Sequence, residues 1–338
     1  MEYINELEAT IGDMVQKGRG ILAADESAPT IAKRFDAIHV VSTEESRRVW
    51  RSTLLTTPGL GEYISGTILF EETLDQKTDD GKTVVEAAWD QKIVPGIKVD
   101  KGTMPLALSA GDLITKGLDG LAERLCCYKE KGARFAKWRE VYAIDKNVPT
   151  RNGIEANAEM LARYAAVCQE EGLIPIVEPE VLMDGSHDIG RHAEVTEAVQ
   201  HAVFNALNRH NVVLELMILK PNMILPGKDC RTAGPDEVAE ATLKVLRRTV
   251  PAAMPSINFL SGGQGPEEAT INLNAINQQA SGAPWQLSIS YGRALQQSAL
   301  KAWQGKPENI ILAQQALLKR AWLNHMAMLG DYNPSLEN

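Results

Sequence analysis

Aromatic side chains are scarce. Phe, Trp and Tyr make up 5% of the 338 residues and form no stripe with Lys and Arg of the kind on which single-stranded bases stack. Cations are also in deficit, 35 Lys and Arg against 44 Asp and Glu, and the net charge of −9 repels a polyanion at long range, so nucleic acid is not an expected partner. The four cysteines, Cys126, Cys127, Cys168 and Cys230, include no CxxC pair, which suits neither a zinc site nor a disulfide framework, and reduced thiols in a cytosol-like compartment are expected. No apolar run reaches the roughly 20 residues that a bilayer requires; the most apolar window, VVLELMILKPNMILP, is broken by Glu215 and Lys220. The first residues, MEYINELEATIGDMV, are acidic and amphipathic and do not read as a signal or transit peptide, so a soluble, cytoplasmic protein with no membrane partner is expected. Two phosphate-binding signatures are missing as well: GxGxxG after the first strand and GxxxxGK[ST]. Their absence counts against an open doubly wound sheet.

What is present is a near-average globular composition, 44% hydrophobic and 23% charged, which supports a large aliphatic core. Eight short β-rich runs alternate with longer segments of helical period. The runs are GILAAD to Asp25, SGTILFEE to Glu72, VPGIKVDK to Lys101, FAKWREV to Val141, IPIVEPE to Glu180, LELMILKP to Pro221, SINFLSGG to Gly263 and LSISYGRA to Ala294. Among the helical segments are STEESRRVWRSTLL, ITKGLDGLAERLCCYKEKG and PDEVAEATLKVLRRTV, with start signals at Ser42 or Thr43 and at Pro235 and Pro266. Eight strand–helix units predict a (β/α)₈ barrel, with barrel strands from about residue 19 to 294, additional terminal helices and a last helix over about 307–329. No Pro/Gly/Ser-rich linker divides the chain, so residues 1–338 read as one domain.

In such a barrel the chemistry sits at the C-terminal ends of the strands. Charged and polar residues cluster there: Asp25, Lys98, Lys137, Glu178, Glu180, Lys220, Ser261 and Arg293. An unpaired ammonium is costly to bury, so three lysines inside strands either pair structurally or work. Lys220 in LMILKPNM is the sharpest case, because aliphatic surroundings lower an amine's pKa and a neutral amine attacks carbonyls to form a Schiff base. A carboxylate such as Glu178 or Asp25 could carry the protons of carbinolamine formation and dehydration. Ser261-Gly262-Gly263 and Tyr291-Gly292-Arg293 suit a phosphate, and Thr30, Lys33 and Arg34 could hold a second anion, although alone they read as a solvated helix face. None of the six histidines lies near a strand end, so a metal site is disfavoured; Cys126 and Cys127 read as helix packing, and Met217 and Met223 as core fillers.

With these residues in place, the sequence resembles class I fructose-bisphosphate aldolase over nearly its whole length, through ILAADES, TILFEETL, GIKVDKG, KGLDGL, FAKWR, PIVEPE, LKPNM, FLSGGQ and SYGRALQ. The resemblance implies a cytoplasmic lyase of glycolysis and gluconeogenesis that needs no metal or cofactor. It would be a homotetramer that reversibly cleaves fructose 1,6-bisphosphate to dihydroxyacetone phosphate and glyceraldehyde 3-phosphate. By the same resemblance Lys220 is the Schiff-base lysine, Glu178 the acid/base of carbinolamine chemistry, and Asp25 the group that orders the ketose and helps take the C4 hydroxyl proton. Lys137 and Lys98 steer charge and contact substrate, beside Arg139 and Glu180. Ser261, Gly262, Ser290, Gly292 and Arg293 form one phosphate site, and Ser27, Thr30 and Arg34 part of another.

Thr30 stands where vertebrate members have serine, which keeps the hydroxyl. The sequence stops at Leu336-Glu337-Asn338, without the tail whose terminal tyrosine protonates the enamine in many eukaryotic members, and Tyr332 does not correspond to that tyrosine. General acid–base assistance is worth about 10²- to 10⁴-fold, so slow release of dihydroxyacetone phosphate, or another donor such as Glu178 or water, is expected. Two other readings stay open on residues alone: an aldolase for another ketose bisphosphate such as sedoheptulose 1,7-bisphosphate, and a catalytically reduced scaffold that binds protein partners.

Overall fold

A computed structural model describes residues 2–338. Eight parallel strands close into a barrel in chain order: β1 (Gly20–Ala24), β2 (Ile64–Leu69), β3 (Val94–Lys98), β4 (Phe135–Tyr142), β5 (Ile174–Val181), β6 (Ile218–Leu219), β7 (Ser256–Phe259) and β8 (Gln286–Tyr291), with β8 pairing β1. This is the (β/α)₈ barrel expected from the alternating pattern. Because strand side chains alternate in direction, one face of every strand points into the barrel and the other meets the helices.

The interior face is apolar at the bottom and charged at the top. Ile21, Ile68, Val94, Phe135, Ile174, Ile176 and Ile218 form one buried cluster, closed from below by Leu7 and Met14 of the first helix, Ile4–Met14. Lys137 follows Phe135 by two positions, Glu178 follows Ile176, and Lys220 follows Ile218. The same alternation that buries the isoleucines therefore carries these charges to the mouth. Gly96 and Gly66 make room for the Phe135 ring, since a Cβ on either would press against it. The opposite face of the strands packs Leu22, Leu69, Trp138, Val177, Leu219 and Phe259 against the helices in the larger core.

The helical layer follows its start signals. Thr43 caps the helix Glu44–Leu55 in a reciprocal box with Ser46, while Pro235 and Pro266 open Pro235–Thr249 and Pro266–Gln279. The last long helix, Ile310–Leu329, follows a 3₁₀ turn at Pro307–Asn309 and packs outside the barrel, mainly against Arg293–Trp303 and Pro266–Gln279.

Several expectations need correction. The second run ends its strand at Leu69, because Glu71–Leu74 is already a helical turn. The sixth run yields only Ile218–Leu219: Leu214–Leu216 winds into a 3₁₀ turn, and Pro221 has no N–H to continue the ladder. Arg293 lies not in the eighth strand but at the start of the helix Arg293–Trp303. The segment beginning ITKGLDGL is not helical at its start: Leu113–Thr115 pairs with Thr103–Pro105 in a short antiparallel hairpin, and the helix begins at Leu121. Cys126 and Cys127 are exposed rather than packed, and the Cys126 thiol donates to Glu171 Oε2 at 3.0 Å. Met217 and Met223 are fully buried, as expected.

Candidate active site

The C-terminal ends of the strands open into a cleft of about 850 Å³, lined by eight basic and six acidic side chains although the whole chain is strongly acidic. Asp25, Ser27, Thr30, Lys33, Arg34, Lys98, Lys137, Arg139, Glu178, Glu180, Lys220, Ser261, Gly262, Ser290, Gly292 and Arg293 all line this one cleft, whereas Tyr291 is buried behind it with its hydroxyl on the Ala269 carbonyl. They arrive from seven of the eight strands or the loops behind them, so the closure of the barrel is what assembles them.

At its centre four charges alternate in sign, Lys220, Glu178 and Lys137 buried and Asp25 partly so. Lys220 Nζ lies 3.2 Å from Glu178 Oε1; Glu178 Oε2 lies 3.2 Å from Lys137 Nζ; Lys137 Nζ lies 2.6 Å from Asp25 Oδ2. Lys220 is 3% and Lys137 4% exposed, so water screens these pairs little. Burial alone would push the Asp25 carboxyl up, but Lys137, Lys220 and Lys98 outweigh it and hold that carboxyl at about 2. Burial likewise opposes the charge on Glu178, yet Lys137, Lys220 and Arg139 keep its pKa below the usual range. Lys137 is desolvated too, but Asp25, Glu178 and Asp100 raise its pKa well above that of a free lysine. The aliphatic surroundings expected for Lys220 hold for its flanks in the chain, Leu219 and Met223, while its amine meets a carboxylate.

A second tier surrounds this row. Arg139 pairs with Glu180, whose carboxyl burial pushes up, with Glu178 adding to the effect against Arg139. Two neighbouring carboxyls are thus driven in opposite directions, Glu178 towards ionisation and Glu180 away from it. Lys98 Nζ is held by Asp100 Oδ1 at 2.6 Å. Sequence reasoning missed Asp100 as a partner, although it stands two residues beyond Lys98 in GIKVDKG. It also missed Glu26, which accepts from Arg34 and, at 2.9 Å, from Gln296 Nε2. Gln296 lies on a helix far along the chain, and no local signal could have joined the two.

Both anion-binding candidates sit at helix N-termini, where free backbone N–H groups and the helix dipole favour negative charge. Ser27 is the N-cap of Ala28–Asp36; its hydroxyl is 3.1 Å from that of Thr30 and makes no capping bond to the backbone. Across the mouth, Gly292 precedes Arg293–Trp303, and the Arg293 guanidinium donates to the carbonyl of Gly263. Gly262 and Gly263 both have positive φ, 56° and 92°, which residues with a Cβ rarely adopt. Tyr332 is outside the cleft, buried on the outer layer with its hydroxyl on Glu337 Oε1 at 2.8 Å. His187 and His192 stack on each other away from the cleft, with centroids 5.4 Å apart, and among the described residues no cluster of three or more His, Cys, Asp or Glu is placed to hold a metal ion. No helix among the described residues is long and apolar enough to cross a membrane.

Comparison with known proteins converges on one group. A family model described as fructose-bisphosphate aldolase class-I matches residues 6–338. The fructose-bisphosphate aldolase named as a cytoplasmic isozyme of Spinacia oleracea is 55% identical, over 98% of this chain and 93% of its own. Aldolase 4 of Arabidopsis thaliana, named cytosolic, is 56% identical over 97% of this chain and 84% of its own. A solved fructose-bisphosphate aldolase of Plasmodium falciparum, in a ternary complex with TRAP and a small-molecule inhibitor, superposes with a TM-score of 0.96 at 50% identity and covers 98% of this chain and 96% of that one.

Proposed function

Because the chain belongs to the class-I fructose-bisphosphate aldolase family, we propose that it reversibly cleaves fructose 1,6-bisphosphate to dihydroxyacetone phosphate and glyceraldehyde 3-phosphate in the cytoplasm, through an imine on Lys220. The observation that carries the reading is the buried row Lys220–Glu178–Lys137–Asp25.

Each member has a role its contacts support. The Lys220 amine attacks the C2 carbonyl of the open-chain ketose, and a proton lost from that amine has Glu178 Oε1 beside it. Glu178 then protonates the departing carbinolamine hydroxyl, leaving an iminium. The iminium nitrogen is the electron sink. Asp25, held ionised by three lysines, takes the C4 hydroxyl proton; the C3–C4 bond breaks, and its electron pair moves into the enamine. Glyceraldehyde 3-phosphate leaves, the enamine is protonated at C3, and hydrolysis of the imine frees dihydroxyacetone phosphate. Lys137 stays charged throughout and keeps Asp25 and Glu178 from repelling each other. Lys98 and Arg139 contact the substrate hydroxyls and charge, with Asp100 and Glu180 holding their heads in place.

The two helix-end sites take the two phosphates: Ser261, Gly262, Ser290, Gly292 and Arg293 on one side, Ser27, Thr30 and Arg34 on the other. Glu178 or a water is the proposed donor for C3 protonation; Tyr332 lies outside the cleft with its hydroxyl on Glu337 Oε1. Assembly into a homotetramer belongs to the proposal on the strength of the family and is checked by light scattering. The test of the activity is a coupled cleavage assay in EDTA with fructose 1,6-bisphosphate and sedoheptulose 1,7-bisphosphate side by side. A higher kcat/KM for the six-carbon substrate supports the reading; preference for the seven-carbon one replaces it, and loss of both leaves the scaffold reading.

A further inference from the structure

Barrel strand β3 ends at Lys98, but its neighbour β4 runs on to Tyr142, so β4 is left with an uncovered edge from Arg139 onward. The hairpin Thr103–Pro105/Leu113–Thr115 fills that gap through one residue. The Thr115 hydroxyl donates to the carbonyl of Arg139 at 2.8 Å, and the Thr115 N–H donates to Glu140 Oε2 at 3.1 Å. The other carboxyl oxygen of Glu140 accepts from Trp138 Nε1 at 2.8 Å. Glu140 is fully buried, and among the described residues no lysine or arginine pairs with it. The groups that face it are Trp138 and Tyr142 of its own strand, Thr115 of the hairpin and Asp100 behind β3; from the helix Arg151–Glu170, Tyr164 packs against Trp138 with the ring planes tilted by 30°. A carboxyl so costly to bury needs a reason beyond packing.

Resting on the aldolase reading above, we propose that Glu140 is a positioning residue: it fastens the hairpin to β4 and thereby sets the wall of the cleft on the Lys98 side. The path is short. Gly102 and Thr103, which open the hairpin, line the cleft, and Gly102 and Lys116 are bonded across it by Lys116 N–H to the Gly102 carbonyl at 2.9 Å. The Gly102 N–H donates to Asp100 Oδ1 at 3.2 Å, the same oxygen that holds Lys98 Nζ. A hairpin released from Thr115 loosens Gly102, Asp100 and then the Lys98 head, which contacts substrate. Lys220, Glu178 and Asp25 stand on strands or loops that the hairpin does not anchor. Burial pushes the Glu140 carboxyl up to about 7, against the opposing effect of the Thr115 and Trp138 donors.

Glu140→Gln keeps the shape but turns an N–H₂ towards one of the two donors. KM for fructose 1,6-bisphosphate is expected to rise about fivefold, the usual worth of one buried hydrogen bond, with kcat changed by less than about twofold. Amide exchange across residues 101–116 is expected to quicken by about tenfold while the barrel strands stay protected. A second variant, Thr115→Pro, deletes both the N–H on Glu140 and the hydroxyl on the Arg139 carbonyl while leaving Glu140 in place, and a KM-only defect at least as large is expected. Parent-like KM in both variants, or parent-like exchange across 101–116 in Glu140→Gln, overturns the proposal. If the parent protein fails to cleave the bisphosphate, the aldolase reading falls, while the exchange arm still decides whether Glu140 holds the hairpin.

Discussion

Replacing Lys137 by Met removes the cation at the centre of the buried row while keeping most of its volume. Two carboxylates, Asp25 at 2.6 Å and Glu178 at 3.2 Å, then share a desolvated space with Lys220 as the one remaining member of opposite sign in that row. Removing one partner of a buried pair costs about 3–5 kcal/mol. The Asp25 carboxyl gives a figure of the same order for the field of all its neighbours together: the fall from 3.8 to about 2, set by Lys137, Lys220 and Lys98 against burial, corresponds to about 2.5 kcal/mol at 1.36 kcal/mol per pH unit. A carboxyl lowered by folding stabilises the native state above about pH 4 and loses that contribution as pH falls through 2. Deleting Lys137 therefore removes stability that exists at neutral pH and is already fading in acid. Urea unfolding of Lys137→Met is expected to show a loss of about 3 kcal/mol at pH 7, dropping to about half that near pH 3, where the parent's own contribution from these carboxylates is fading. The kcat/KM for bisphosphate cleavage is expected to fall by at least about 10²-fold, because both proton-transfer groups lose their set charge. A loss below about 1 kcal/mol, or one that does not change between pH 3 and pH 7, would refute the assignment of Lys137 as the charge that holds the row together.

Two further substitutions probe other parts of the account. Glu140, raised by burial from 4.5 to about 7, favours its neutral form, so its contribution is full below about pH 4.5 and is lost as pH rises through 7. Denaturation between pH 5 and pH 8 should therefore show a decline in the parent, of up to about 3 kcal/mol from this group, that Glu140→Gln flattens; equal slopes would argue against a buried, unpaired carboxyl. Gly96→Ala would drive a Cβ into the Phe135 ring, which is enclosed at the bottom of the barrel, and overpacking of this kind costs about 1–3 kcal/mol. A variant as stable as the parent would mean that the barrel floor is looser than the packing indicates.

The barrel was legible because its signal is repetitive. In FAKWREV and IPIVEPE the residue two positions after a buried apolar one shares its inward face, so Lys137 after Phe135 and Glu178 after Ile176 follow from strand alternation. The sequence left unspecified what depends on contacts across the chain. LELMILKP is as apolar as a full strand, yet Leu214–Leu216 coils to meet the barrel bottom; ITK reads as the start of a helix, yet it completes a hairpin over the free edge of β4. Cys126 and Cys127 follow helical spacing, but a short helix has one buried face, and theirs is the other. The partners of the cleft residues, Asp100, Glu26 and Gln296, were hidden for the same reason. Each is an ordinary polar residue until folding gives it a charged neighbour.

The central claim is that Lys220 forms an imine with a ketose phosphate, and borohydride reduction with dihydroxyacetone phosphate in EDTA, followed by peptide mass analysis, tests it directly. A single reduced adduct on Lys220, abolished in Lys220→Met, is the predicted result. An adduct on Lys98 or Lys137, or none beside an active control aldolase, would contradict the account.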